Sequence, residues 1–535
     1  MIDPVMRVGR EQKVDFLVAG SGIAGLRAAL ELAARGSVLI LTKDDPSESI
    51  TRYASGGIFI PQADDESVGV HVQETVRHGD GLCREDVVRA LADEGPREIR
   101  QLCEWGARFE ERNHAAPLLA GGTARRSGLL RPAGGSTGME ILSALTTKAR
   151  TLSSLRTKAG SIVLNLLVED GTVLGATYLD EANGSLRTVR CNALLLATGG
   201  LGQVYAETTN PPGACGDGVA LAFRAGALLS DMEFVQFHPT VLCAKAEPRL
   251  MLSVALREKG AHLRNLELER FMLHYHEAGD LAPADVVSRA ILCEMEKKRS
   301  GFVYLDLTGL DPGHVKRRFP QIYAACMENN IDITSDLVPT RPAAHFAMGG
   351  VAANIDGSTS LRGLYAAGEV ACTGLHGANR LANNSLLECL VYGVRAAHAM
   401  EADGAAASFP APPAAQAAAP QCAPPPTGVA SLDAVAAKRE IRRLMWESAG
   451  VIRHGSKLKE AAKRLNALAL PQPDDPARSS VEIESLLQAA RLIIHCAEAR
   501  KESRGAHYRT DYPLRNDSET PKHSFVSKNC SVYFK

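Results

Sequence analysis

Apolar residues along the chain fall first into short unbroken runs and then into stretches of helical periodicity. Val14-Asp15-Phe16-Leu17-Val18-Ala19 is β-branched and apolar, and it leads into Gly20-Ser21-Gly22-Ile23-Ala24-Gly25. An Ala/Leu-rich helix ending near Arg35-Gly36 follows, and then a second apolar strand, Val38 to Leu41. This order predicts a βαβ unit. Two further buried strands are predicted, one ending in Ala197-Thr198-Gly199-Gly200 and one reading Gly363-Leu-Tyr-Ala-Ala-Gly-Glu369. Helical periodicity is predicted over Ala284 to Lys298, Ala434 to Ala449, Lys457 to Leu468 and Val481 to Arg500. The polar end of the chain predicts loops that wrap back.

These elements predict an α/β fold in which a Rossmann-like nucleotide-binding domain is split in the sequence. Its first part is expected over 1–233 and its second over 346–403, with an inserted α+β capping domain over 234–345 between them. Composition then turns to alanine and proline (PAPPAAQAAAPQCAPPP), which predicts a linker over 404–430. A C-terminal helical domain is expected over 431–535.

The formal net charge of −1 supplies no global field to recruit nucleic acid or anionic membrane, so any anion site must be local. The opening MIDPVMRVGREQK has no apolar segment, and no run approaches the roughly 20 apolar residues of a membrane span. A cytoplasmic protein is expected. The 12 cysteines lack CxxC pairs, which argues against a disulfide framework or zinc knuckles. Cys215 and Cys389 read as buried reduced thiols.

A GxGxxG motif alone is a weak signal, but here it follows a predicted strand and opens a helix. Gly20, Ser21, Gly22, Ala24 and Gly25 are therefore expected at a pyrophosphate, with the helix N-terminus facing it. The acidic residue that would hold a ribose after the second strand is replaced by Thr42-Lys43. Thr42 either hydrogen-bonds the ribose or simply ends the strand. An extended FAD needs several separate segments, and Ala197, Thr198, Gly199 and Gly368-Glu369 suit that need better than a plain NAD site would. Glu369 is a candidate for the missing carboxylate. Asn384, Ser385 and Leu386 open a predicted helix whose positive end would face the flavin edge that gains negative charge on reduction, with Ser385 a candidate N-cap.

Four blocks carry a wider resemblance: Phe234-Val-Gln-Phe-His-Pro-Thr240; Arg341-Pro-Ala-Ala-His345 with Gly349-Gly350; Thr373-Gly-Leu-His-Gly-Ala-Asn-Arg380 running into Ser385-Leu-Leu-Glu-Cys-Leu-Val-Tyr-Gly393; and Glu502-Ser-Arg-Gly-Ala-His-Tyr-Arg-Thr-Asp-Tyr-Pro513. Together they resemble the succinate dehydrogenase/fumarate reductase flavoprotein family, over nearly the whole chain from Asp15 to about Ser524, and within it the branch that oxidises L-aspartate. Where relatives carry covalent flavin on a histidine, this chain reads Thr51-Arg52-Tyr53-Ala54-Ser55-Gly56-Gly57, so the resemblance implies noncovalent FAD. It also places Gly56, Gly57 and Asp217 at the cofactor, and His238, His345, Arg380 and Arg257 at a substrate site. Arginine suits such a site because its planar fork matches a carboxylate. The implied reaction is oxidation of L-aspartate to iminoaspartate, with oxygen or fumarate as acceptor and a functional link to quinolinate synthase in NAD biosynthesis.

The chain departs from the family pattern at several positions. Ala284 stands where relatives usually carry a proton-transferring or substrate-orienting arginine. Ala120 stands where the aspartate-oxidising branch usually has a glutamate, and Arg257-Glu258-Lys259-Gly260 replaces Arg-Gly-Glu-Gly. Arg131-Pro-Ala-Gly-Gly-Ser-Thr-Gly138 replaces His-Ala-x-Asp-Ala-Thr-Gly. Losing one positioned proton-transfer group typically costs about 10² to 10⁴ in rate. Arg125, Arg126 and Lys259 are candidates to compensate. Two alternatives follow: a fumarate reductase or succinate oxidase not bound to membrane, and a catalytically impaired homologue that serves as a binding partner.

Overall fold

The computed structural model describes residues 11–54, 56–61, 65–112, 127–132, 136–244, 248–402, 408–410, 433–470 and 477–535. At its centre is a five-stranded parallel sheet in the order Leu364–Ala366, Ala193–Leu196, Phe16–Ala19, Val38–Leu41 and Leu155–Lys158. The unbroken apolar runs follow from burial on both faces. Leu17, Ala19, Leu39, Leu41, Leu194 and Leu196 enter one core, whereas Phe16, Val18, Val38, Ile40, Ala193 and Leu195 enter the other. The second core is completed by the helices Ile23–Leu32, Glu85–Glu104, Thr137–Ala149 and Ser385–Glu401.

The segment between the two nucleotide-domain parts forms its own antiparallel sheet, ordered Val235–Leu242, Val338–Ala347, Val303–Asp306 and His262–Arg264. The helix Ala284–Lys297 packs on it, and the apolar side chains between Leu242 and Val338 make a separate core. The strand Val338–Ala347 runs past the expected boundary at 345 toward the second part of the nucleotide domain.

Beyond 431 lie the helices Ala434–Ala449, Gly455–Ala467 and Arg478–Ala499. Asp433 caps the first by accepting from the Ala436 N–H, and the three pack on one another and into the larger core. The end of the chain differs from the loops expected of it. Ser524–Ser527 and Cys530–Phe534 form a hairpin, and Ser524–Ser527 pairs antiparallel with Leu229–Ser230 of the nucleotide domain. The Ala/Pro-rich stretch 404–430 lies outside the described residues except for 408–410. Among the described residues no helix is long and apolar enough to cross a membrane, and no group of His, Cys, Asp and Glu is placed to hold a metal ion. The cysteines described are all free.

Candidate active site

A cavity of about 590 Å³ runs from the end of the parallel sheet to the antiparallel sheet of the inserted domain. The sheet builds its first wall. Gly20, Ser21, Gly22 and Ala24 line it, and the helix Ile23–Leu32 begins there with no side-chain cap on its N-terminus. Its first backbone N–H groups are therefore available to an anion. Gly20 has φ +112°, and a Cβ there would lie 2.2 Å from the Ala197 carbonyl oxygen. Only glycine lets the two strand ends approach this closely. Gly25 does not line the cavity; a Cβ there would sit 2.1 Å from the Gly20 carbonyl, so it serves the tight packing of helix on loop.

Thr42, Lys43, Gly56, Gly57, Ala197, Thr198, Gly199, Asp217, Glu369, Ser385 and Leu386 also line the cavity. Asn384 does not: it is buried and donates to Thr75 Oγ1, and its neighbour Asn383 faces the cavity instead. Ser385 is the first helical residue and not the N-cap, and its hydroxyl accepts from Arg380. Thr42 Oγ1 accepts from the Ser21 hydroxyl at 2.9 Å, which ties the strand end to the glycine loop. Lys43 is ion-paired to Asp217 at 2.6 Å; burial opposes its charge, but Asp217, Cys215 and Glu482 more than offset this and hold its pKa above the usual range.

Several buried polar atoms on this wall have no protein partner, among them Ser49 Oγ, Thr198 Oγ1 and Asp217 Oδ1. Orphaned buried groups are costly unless a ligand satisfies them. A long ligand with a phosphate for the glycine loop and hydroxyls for these atoms fits the wall, and FAD is such a molecule.

The opposite end is built by the inserted domain. His238 and His345 stand on paired strands with their rings 5.7 Å apart, and both line the cavity. Burial, reinforced by Arg257 and Arg380, lowers the His238 pKa to about 3, so its imidazole is neutral. The Thr240 N–H donates to its Nδ1, which assigns the ring proton to Nε2 and makes that nitrogen a donor. His345 is likewise held neutral by burial and the nearby Arg380, with Nδ1 bonded to the Thr209 hydroxyl at 2.8 Å.

Arg380 completes the group. Its Nε donates to Gln236 Oε1, one Nη donates to Ser385, and the guanidinium lies 4.7 Å from the Phe346 ring centroid. Burial lowers its pKa to about 10, which leaves it charged at neutral pH. Glu369 is buried beside it and accepts from the Ala347 N–H; burial raises its pKa to about 8. Gln236 and Thr209 carry no chemistry that a motif would flag, although Gln236 lies two residues before His238 in a block that carries the family resemblance.

Arg257 does not line the main cavity. It borders a second cavity of about 340 Å³ and donates to the Asp280 carbonyl, with its Nε buried and unpartnered, and it lies near enough to His238 for its charge to help lower that imidazole's pKa. Lys259 is exposed and lines neither cavity. Ala284 opens the helix Ala284–Lys297 and supplies no polar group there. Ala120, Arg125 and Arg126 lie outside the described residues.

Comparison with known proteins agrees with this arrangement. Residues 15–386 match the model of an FAD binding domain, and residues 476–533 match that of the fumarate reductase flavoprotein C-terminal region. The chain is 40% identical to L-aspartate oxidase of Streptomyces coelicolor, covering 96% of this chain and 91% of the relative. It is 37% identical to that of Vibrio cholerae, covering 95% and 97%. Among solved structures, a variant of E. coli quinol fumarate reductase FrdA superposes with a TM-score of 0.84 at 28% identity, covering 98% of this chain and 97% of that one. With such identity sustained over nearly full length, the chain belongs to the L-aspartate oxidase family, within the FAD-binding flavoproteins of succinate dehydrogenase and fumarate reductase.

Proposed function

We propose that this chain oxidises L-aspartate to iminoaspartate. The observation that carries the reading is the convergence of His238, His345 and Arg380 at one end of a cavity whose other end suits a dinucleotide. A dicarboxylate needs a cation and hydrogen-bond donors at separated points. Arg380 supplies a charged fork already fixed by Gln236 and Ser385, so little entropy remains to be lost on binding. His238 supplies a neutral donor, and burial keeps water from competing for it.

FAD, when bound, supplies the two-electron acceptor. Overall, aspartate gives up a hydride from its α-carbon and a proton from its amino group; the electrons end on oxygen, forming hydrogen peroxide, or on fumarate, forming succinate. The chain's own residues hold the carboxylates so that the α-carbon stays at a fixed point, where positioning alone can lower a barrier by several kcal/mol, on the order of 7–11 at best. The reading carries with it a cytoplasmic setting and delivery of iminoaspartate to quinolinate synthase. FAD-loaded protein is expected to form hydrogen peroxide in air only when L-aspartate is added, and succinate when fumarate replaces oxygen. Absence of both products would refute it.

Ala284 favours a second reading, in which the scaffold keeps the dinucleotide site but has left rapid catalysis behind or works on fumarate alone. Introducing Ala284→Arg separates these: a gain in aspartate turnover supports a slowed oxidase, and no gain supports a scaffold no longer built for the reaction.

A further inference from the structure

One side chain in the cavity wall comes from neither the nucleotide domain nor the inserted domain. Arg478, the first residue of the helix Arg478–Ala499, lines the cavity beside Thr42, Lys43 and Asp44. Its Nη1 lies 2.7 Å from Asp44 Oδ1, and its Nε lies 3.0 Å from Glu482 Oε1 one turn along the same helix. Glu482 in turn reaches Lys43 Nζ at 3.1 Å, and Lys43 pairs with Asp217. A continuous charge chain, Asp44–Arg478–Glu482–Lys43–Asp217, thus joins the C-terminal helices to the end of the strand Val38–Leu41. In a βαβ unit the ground beyond the second strand is where the adenosine ribose rests. Strand Ser161–Glu169 adds Ser161, Ile162 and Val163 to the same end of the cavity, a largely apolar strip suited to a base.

We propose that Arg478 is an adenosine-binding residue, and that the C-terminal helical domain thereby forms part of the dinucleotide site. Asp44 and Glu482 hold the guanidinium by different edges, with Glu181 Oε2 a further 3.8 Å from Nη1, and so fix its plane; a fixed guanidinium plane is a stacking surface for adenine. Asp44, neutralised by Arg478, is left with lone pairs that can accept from ribose hydroxyls. The missing acidic residue at the strand end is in this way replaced by an acid two positions after Thr42 and a cation from another domain. The inference rests on reading the cavity as an FAD site, and it adds that the adenosine half is gripped from beyond residue 431.

The test uses full-length, flavin-stripped protein titrated with FAD, by quenching of flavin fluorescence, and with ADP, by calorimetry. Arg478→Ala is expected to raise both dissociation constants about 10-fold, the equivalent of ~1.4 kcal/mol. Arg478→Lys, which keeps the charge but loses the planar fork, should weaken ADP by a smaller factor and guards against a variant that fails to fold. Arg491→Ala, lower on the same helix and bonded to the Leu465 carbonyl, should leave ADP affinity unchanged. ADP affinity unaltered in both Arg478 variants would overturn the proposal, as would an equal loss in Arg491→Ala. Wild-type protein that takes up no FAD would instead overturn the reading of the cavity itself.

Discussion

Glu369 shows how much of this site's behaviour is set by single buried groups. Its carboxyl is raised to about 8 from an ordinary 4.5, because burial penalises the charged form more than the Ala347 N–H and Arg380 favour it. Between those two values the folded chain keeps a proton that the unfolded chain has released, so stability falls as pH rises across that window and levels off above it. Glu369→Gln removes the titration. Flavin-stripped Glu369→Gln should lose less melting temperature than wild type between pH 5 and pH 8, and parallel curves would show that Glu369 ionises freely. Its place after a strand-glycine turn made Glu369 readable as a cavity residue, whereas its raised pKa and its position beside Arg380 follow only from burial in the fold. The cavity that Arg257 borders was not readable, because a motif fixes a residue's neighbours in sequence but not the side of the wall its side chain takes. Asn384 differs for a related reason: the helix begins at Ser385 as expected, but Asn384 turns its amide to Thr75 and Asn383, with φ +71°, lines the cavity.

Among the elements, the central strands and the three C-terminal helices were legible because their apolar spacing is strong and local. The helix Ala434–Ala449 begins and ends where the periodicity does. The terminal hairpin was not legible. Ser524–Ser527 is half polar, and its partner Leu229–Ser230 lies some 300 positions earlier, so neither length nor alternation announces it. What holds it is a buried charged cluster. Arg500 pairs with Glu233 at 2.6 Å and with Glu502 at 2.9 Å, Ser524 donates to Glu233, and His523 bonds Asp231. Removing one member of such a cluster strands a charge in a buried site. Glu233→Ala is expected to destabilise the protein by roughly 3–5 kcal/mol in chemical denaturation, and a loss below about 0.5 kcal/mol, the range of neutral surface changes, would contradict the role given to this cluster.

Over the whole molecule, three remote parts of the chain share one cavity. The nucleotide domain gives a glycine turn and a helix end, the inserted domain gives two neutral imidazoles, and the C-terminal helices give Arg478. The resemblance of four blocks to one family made most of this assembly readable. Among the described residues, Lys259 is exposed and Ala284 begins a helix without lining the cavity, so neither supplies the group that relatives carry at its position. The consequence is a site that should bind its dicarboxylate well and oxidise it slowly.

The most direct test is the absorbance of the FAD-loaded protein under anaerobic conditions as L-aspartate is added. Wild-type flavin should bleach with aspartate alone, and Arg380→Ala should need about 10- to 100-fold more aspartate, the cost of losing ~1.5–3 kcal/mol of charged hydrogen bonding. A wild-type flavin that remains oxidised for hours, or an Arg380→Ala protein that bleaches at the same aspartate concentration, would contradict the account.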